Sequence, residues 1–484
     1  MPDILSLLLC LHPALSKTTI RQLARIVQAI LVMPARINQL SIARWAGKGA
    51  SYRSVQRFFH TDIDWLQVKW LFFILMVYVA SDIYLLVGDE TVVKKAGKAT
   101  FGLDRFFSSL AGKPVPGIAF FTFALVNVQK RQAYTLVAHQ VVRTQQEKQE
   151  AAQRTKLAAQ RKQKARDKEG ANSQPKSPGR PKGSKNKNKE QVTFSPELLR
   201  ILGWAQQIMA LVGKKIALRH LVLDGHFGNH PAYQMTRQLG LHLISKMRNN
   251  AHLYLLPDEK YKQEHPRCKY GGRLDYESLP AESLVSSKSE EGMLTKMYQM
   301  RCRHKDFAEV LNVVVIHKTH LASGRVGHVV LFSSDLDLEA AALVDYYALR
   351  YQIEFEFRDA KQHWGLSDFV CVGQTSVTNA VGLSLFLGNL SSHLLVPLRE
   401  DFPDAGVCDL KSYYRGRRYA LETLKAIGTL PCLPESLKRG WDFADPIVWE
   451  TVLVPHFVSL HGWVYFAVKE ASMPAKKYII ALTP

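Results

Sequence analysis

Paired cysteines are the first thing this sequence lacks. Its six, Cys10, Cys268, Cys302, Cys371, Cys408 and Cys432, are scattered with no C-x-x-C among them. That pattern argues against a zinc ribbon and a secreted disulfide scaffold, and it suits a reducing cytoplasm. A membrane span is not expected either: the stretch Trp70 to Gly88, read as the most membrane-like, breaks at Ser81-Asp82 after about eleven residues, where a span needs roughly twenty. The opening Met-Pro-Asp-Ile-Leu carries an acid where a signal peptide needs basic residues, so none is expected. No internal repeat is present. Acidic charge is scarce as well, with 42 Asp and Glu against 64 Lys and Arg, a formal +22 over 484 residues. Such an excess implies a polyanionic partner. Nucleic acid comes first, because clustered Lys and Arg release its counterions; an acidic membrane surface is the competing partner.

Half of that charge sits in one place. From Arg143 to Lys189 there are 15 Lys or Arg and 4 Asp or Glu, a net +11, in a composition that cannot bury a core. Gln145 to Asp167 fits a solvated helix. Beyond it, Pro178-Gly-Arg-Pro-Lys-Gly-Ser-Lys-Asn-Lys187 resembles an AT-hook, a peptide that lays Arg180 and Lys182 along the narrow minor groove of A·T-rich DNA. A generic basic linker is the alternative, and either one contacts phosphate.

Residues 1 to about 80 read as helical. Ser16 can cap a helix in which Ile20, Leu23, Val27 and Ile30 recur at helical spacing. Two short helices around Gly47-Lys-Gly49, the second carrying Arg53 and Arg57 one turn apart, form either a helix-turn-helix or a helical cover for the core. Ile83 to Val87 is a short buried strand that ends in Gly88-Asp89-Glu90-Thr91, and Ile118–Val128 with Ala133–Val142 complete a three-stranded meander. A helix follows through Val212. Ala217 to Leu223 is then another buried strand that ends in an acid, Asp224-Gly-His-Phe-Gly-Asn-His230, where Gly225 and Gly228 permit a tight turn beside the carboxylate. His226 and His230 stand at zinc-like spacing, but the Gly and Asn between them disfavour the helix such a site needs.

Strand-like sequence returns at 293–303, 310–320 and 327–332. Tyr346 to Leu366 has no Gly or Pro before Gly365 and reads as one helix continuing from Leu338. On it Tyr347, Arg350, Glu354 and Lys361 share an arc of roughly 60°, while Glu356 and Asp359 point elsewhere. A carboxylate set between two cations and a phenol suits an acid that holds a metal against a gripped phosphodiester; an ion-paired helix face is the bland alternative. Val377 to Val396 is an apolar core helix. Lys411 to Tyr419 interleaves aromatics with Arg415, Arg417 and Arg418, as a strand-gripping surface does, or as a solvated helix face does. Asp89, Asp224 and Glu354 follow at spacings of 135 and 130 residues. Three carboxylates on a mixed sheet and an adjoining helix can hold two divalent ions, Mg²⁺ with Mn²⁺ as a substitute.

These residues resemble the DDE transposases of bacterial cut-and-paste insertion sequences, in particular the group similar to the insertion-sequence-four transposases. That group carries Tyr-x2-Arg-x3-Glu-x6-Lys on its last catalytic helix, matched here by Tyr347, Arg350, Glu354 and Lys361. Gly88-Asp89-Glu90-Thr91 looks like its first-aspartate strand, with Glu90 where many members have a second Asp, and Leu223-Asp224-Gly225 looks like its second. The resemblance implies an α/β, RNase H-like catalytic core with a β-sheet insertion before the last catalytic helix, preceded here by an all-α N-terminal domain. It implies hydrolysis at the element's ends and attack of the freed 3′-OH on target DNA. Arg350, Lys361 and Tyr347 would hold phosphates, and Trp364 or Tyr347 would support a flipped base if the ends pass through hairpins. Double-stranded DNA carrying terminal inverted repeats, target DNA and a homodimer on the DNA are the implied partners, with no membrane and no small-molecule substrate, in a bacterial cytoplasm. The expected division is 1–80 helical and DNA-binding, 81–142 and 193–248 core, 143–192 basic linker, 249–334 β-rich insertion, 335–400 catalytic helix and core completion, and 401–484 a C-terminal region. A nuclease of the same fold that cuts without joining, and a domesticated DNA-binding protein without activity, are the competing functions.

Overall fold

A computed structural model describes residues 3–34, 36–47, 50–108, 111–169, 192–264 and 268–428. In chain order the elements are helices α1 (Ile4–Leu8), α2 (Lys17–Val32), α3 (Gln39–Trp45), α4 (Tyr52–His60) and α5 (Trp65–Met76). Strands β1 (Tyr84–Lys94), β2 (Asp104–Ser108), β3 (Lys113–Asn127) and β4 (Gln132–Gln140) follow, and then helices α6 (Gln145–Glu169) and α7 (Pro196–Val212). Next come β5 (His220–Val222), α8 (His230–Gln238), β6 (His242–Lys246), β7 (Leu253–Leu255) and α9 (Glu259–Glu264). Strands β8 (Leu284–Glu290), β9 (Met293–His304), β10 (Val310–His320) and β11 (Val326–Ser333) precede helices α10 (Ala340–Leu349), α11 (Tyr351–His363), α12 (Gln374–Asp401) and α13 (Val407–Gly428). The chain divides into two compact units, Val79–Phe355 and the pair of segments Met1–Tyr78 with Glu356–Pro484.

Residues 79–355 form a mixed α/β unit on one sheet. Its path runs β2-β3-β1-β5-β6-β11-β10-β9-β7, with β4 also on β3 and β8 also on β9. Tyr84 to Val87 are buried and apolar, as a central strand requires. β1 pairs antiparallel with β3 along its whole length and parallel with β5, and β5 pairs parallel with β6. The β1 strand is therefore longer than the run 83–87 suggests: β3 continues to pair with it as far as Lys94, which leaves Asp89 inside the strand and not at its end. The β-rich segment expected as an insertion is continuous with the core sheet. β11 pairs antiparallel with β6, Phe332 opposite Ser245, and so prolongs the central sheet. Without it β6 would present a row of unpaired N–H and C=O groups.

Among the described residues, Ile4–Met76 holds only helices. Ser16 caps α2 by accepting from the Thr19 N–H at 3.1 Å. These helices share their unit with α12 and α13 and do not stand as an N-terminal domain by themselves. The reason lies in their apolar faces: Trp65 and Phe72 pack on Phe386 of α12, at ring-centre distances of 6.2 and 5.3 Å. The Trp65 Nε1 donates to Asn379 Oδ1 at 2.9 Å, and Asn379 in turn donates to the carbonyls of Phe59 and Thr61. Among the described residues α12, and not the expected Trp70–Gly88 stretch, is long and apolar enough to cross a membrane by length and composition, yet 78% of its most apolar window is buried. The tail after Gly428, with 452–484 in it, lies outside the described residues, as do Arg180, Lys182, Lys48 and Gly49.

Candidate active site

The parallel register brings the two aspartates level. Val87 sits opposite Val222, so Asp89 and Asp224 each lie two residues beyond the same rung, with side chains on the same face. Gly88 makes that approach possible, because a Cβ there would stand 2.8 Å from Leu223 Cδ2 and 3.0 Å from Phe121 Cζ. After Asp224 the chain turns at once: its Oδ1 accepts from the His226 N–H at 3.2 Å, and Ser245 Oγ donates to its carbonyl at 2.7 Å. Gly228 is needed in this turn, since any Cβ would run into the Lys246 carbonyl.

The third carboxylate arrives on a helix with a break in it. The expected single helix divides into α10 and α11 at Arg350, where hydrogen bonding tightens to i→i−3: Arg350 N–H to Tyr347 O and Ile353 N–H to Arg350 O, both 3.2 Å. At that residue the guanidinium bridges two carboxylates. Its Nη1 donates to Asp89 Oδ2 at 2.8 Å and its Nη2 to Glu354 Oε1 at 2.7 Å, with the Arg350 side chain only 7% exposed. Tyr351 and Tyr347 flank the same cation, ring centres 4.8 and 6.0 Å away. Tyr351 is the contact that sequence spacing missed, because it falls outside the four-residue signature.

The site is short of positive charge. Burial pushes the Asp89 carboxyl up to about 6; Arg350 pulls against that, while the neighbouring charges of Asp224 and Glu354 add to it. Burial works against the Arg350 charge, and Asp89 and Glu354 outweigh it, so the guanidinium is held above its ordinary value. Burial raises the Tyr347 phenol. Among the described residues no three His, Cys, Asp or Glu side chains are gathered tightly enough to hold an ion by themselves; Arg350 takes two of the three carboxylates here. The three donors are all carboxylate oxygens, and two of them, on Asp89 and Glu354, already meet one cation, which fits a hard divalent ion in kind. His226 and His230 do not form a zinc pair: His226 is exposed against Glu197 at 3.4 Å, and His230 is buried against Tyr233. Beside β1 lies a cavity of about 430 Å³, walled in part by Glu90, Phe121, Arg143, Glu197, Arg200 and Trp204.

The family described as DDE superfamily endonuclease matches residues 10–305. The chain belongs to that family. Among curated proteins none matches it. The DDE endonuclease match takes in Asp89 and Asp224 and stops short of Glu354, so the assignment of the glutamate rests on the Arg350 bridge and on the signature spacing.

The other residues expected to touch DNA fare unevenly. Arg53 and Arg57 are exposed on α4. Lys361 lies two turns beyond Glu354 on α11, half-buried, and burial lowers its amine. Trp364 is 1% exposed, with Lys411 Nζ 5.3 Å from its ring centre, so the ring is core and offers no face to a flipped base. Of the two aromatics expected in that role, Tyr347 is left. Arg415 and Arg418 are structural: Arg415 Nε donates to the Val32 carbonyl at 2.9 Å, and Arg418 binds the Trp45 carbonyl and Glu422. Arg417 is half-buried on the same helix.

Proposed function

We propose that this DDE endonuclease is the transposase of a bacterial insertion sequence, similar to the insertion-sequence-four group, which excises its element and joins it to target DNA. The observation that carries the proposal is Arg350 bridging Asp89 and Glu354 with Asp224 level beside them. An RNase H-like core is supported by the strand order β4-β3-β1-β5-β6, antiparallel on the β3 side of β1 and parallel on the β5 side.

Asp89, Asp224 and Glu354 would hold the two Mg²⁺ ions, with Mn²⁺ as a substitute. When bound, these ions supply activation of the attacking oxygen and stabilisation of the leaving one. Arg350 has a task in each state. Without DNA its fork neutralises Asp89 and Glu354; with DNA the same fork suits a phosphate oxygen pair, and Tyr351 and Tyr347 keep it on the DNA side of the helix. Lys361 and the exposed Arg53 and Arg57 add phosphate contacts. Joining requires both element ends in one complex, so a homodimer assembled on double-stranded DNA is the active form. The family description, endonuclease, favours one alternative, cutting without joining.

The test is incubation of the full chain with DNA carrying the terminal inverted repeats and Mg²⁺. We expect excision and strand transfer that disappear in Glu354→Ala. Cleavage without joining would mark the nuclease, and DNA binding alone would sink both enzymatic functions.

A further inference from the structure

The segment between β11 and α10 is held by side chains of β9 and β10. Asn312 of β10 is 1% exposed and donates through Nδ2 to the carbonyls of Asp335 (2.9 Å) and Leu338 (2.7 Å). Gln299 of β9 donates through Nε2 to the same Leu338 carbonyl at 2.9 Å and to Asn312 Oδ1 at 3.0 Å. Its Oε1 accepts from the Ala340 N–H, the first of α10, at 3.0 Å. α10 has no cap of its own, because the Glu339 side chain at the N-cap position makes no capping bond. One of the helix's orphan N–H groups is thus satisfied from another element. The two amides reach each other because the register puts Gln299 opposite Val314, diagonal to Asn312 on the same face of the sheet.

We propose that Gln299 and Asn312 are positioning residues that set where α10 begins, and through α10 and the α11 that follows it at Arg350, where Glu354 stands relative to Asp89 and Asp224. The proposal rests on the catalytic role proposed above for Glu354. Leverage makes the start of α10 decisive. Arg350, where α10 gives way to α11, lies ten residues beyond Ala340, roughly 15 Å at 1.5 Å per residue, so a tilt of about 10° at the pivot moves it by about 2–3 Å and carries Glu354, one turn on, with it. A metal ligand tolerates about 0.2 Å, and reacting groups about 1 Å. Hydrophobic packing of α10 alone permits small tilts; two amides that together make five hydrogen bonds to a fixed turn and to each other do not. The extended sheet therefore does more than prolong the core, because it supplies the socket for the catalytic helix.

The test replaces the amides without changing volume much and reads metal binding, melting temperature, DNA binding and single-turnover cleavage on the full chain. Gln299→Met removes the hydrogen bonds at a half-buried site, and Asn312→Ala removes them at the buried one. For Gln299→Met we expect a melting temperature and end-DNA affinity close to the parent, Mn²⁺ binding weakened at least fivefold, and the cleavage rate at saturating DNA lowered at least tenfold. A purely structural amide would lower the melting temperature and leave Mn²⁺ affinity unchanged. Gln299→Met that binds Mn²⁺ and cleaves within twofold of the parent overturns the proposal, even if Asn312→Ala fails to fold. A parent chain that binds no Mn²⁺ overturns the catalytic assignment of the carboxylates and this proposal with it.

Discussion

Arg350 decides how the candidate site behaves without its ions. Two carboxylates within hydrogen-bond reach of one guanidinium, with a third close enough to raise Asp89, leave the apo site balanced by a single side chain. Charge-assisted bonds of this kind contribute about 1.5–3 kcal/mol each. Arg350→Met removes a competitor for the carboxylates, so we expect Mn²⁺ affinity in the absence of DNA to rise about tenfold in calorimetric titration. We also expect the melting temperature without metal to fall, since Asp89 and Glu354 then repel. Cleavage should nevertheless be lost, because the phosphate grip goes with the guanidinium. At Gly88 a single methyl is informative: Gly88→Ala forces a Cβ against Leu223 and Phe121, and overpacking of that size costs about 1–3 kcal/mol, readable as a lower urea midpoint.

At the scale of elements, the buried Lys69 on α5 offers a second handle. It is fully buried, its Nζ makes no hydrogen bond among the described residues, and burial pushes its amine down to about 7 against the opposing charge of Glu356. A lowered lysine makes the unfolded chain the better proton binder between about pH 7 and 10.5, so stability rises with pH across that window. We expect denaturant midpoints to climb from pH 7 to 9.5 in the parent and to lose that slope in Lys69→Met. Much of the element level was legible beforehand. The strands read at 83–87 and 217–223 stand as Tyr84–Lys94 and His220–Val222, with Ile83 and Ala217 exposed ahead of them, and the cap at Ser16 and the β-branched alternation of β10 likewise followed from local pattern. Three features did not, because each depends on a distant partner. β1 runs on past Asp89 because β3 pairs with it, β11 joins the core because β6 has an open edge, and the helix breaks at Arg350, whose guanidinium meets Asp89 across 261 positions of sequence. Trp364 and Arg418 show the same limit, since aromatic and cationic residues interleaved on a helix read alike whether they face DNA or the core.

For the whole molecule, the charge of +22 sets the physics of association. Residues 170–191 alone carry six Lys or Arg and one Glu. Deleting that stretch should weaken DNA binding at all sequences and reduce the slope of log affinity against log salt by up to about 5, as measured by fluorescence anisotropy at a series of NaCl concentrations. An AT-hook predicts in addition that the loss is greater on A·T-rich duplexes; a generic linker predicts equal loss.

The carboxylate triad carries the central claim, and single-turnover cleavage of end-bearing DNA in Mg²⁺ tests it most directly, with Asp89→Asn, Asp224→Asn and Glu354→Gln compared against the parent. We expect each variant to bind the DNA within a few-fold of the parent and to cleave at least a thousandfold more slowly, a loss of about 4 kcal/mol in transition-state stabilisation. Near-parental cleavage by any one of the three would contradict the assignment of that carboxylate and, with it, the site built around Arg350.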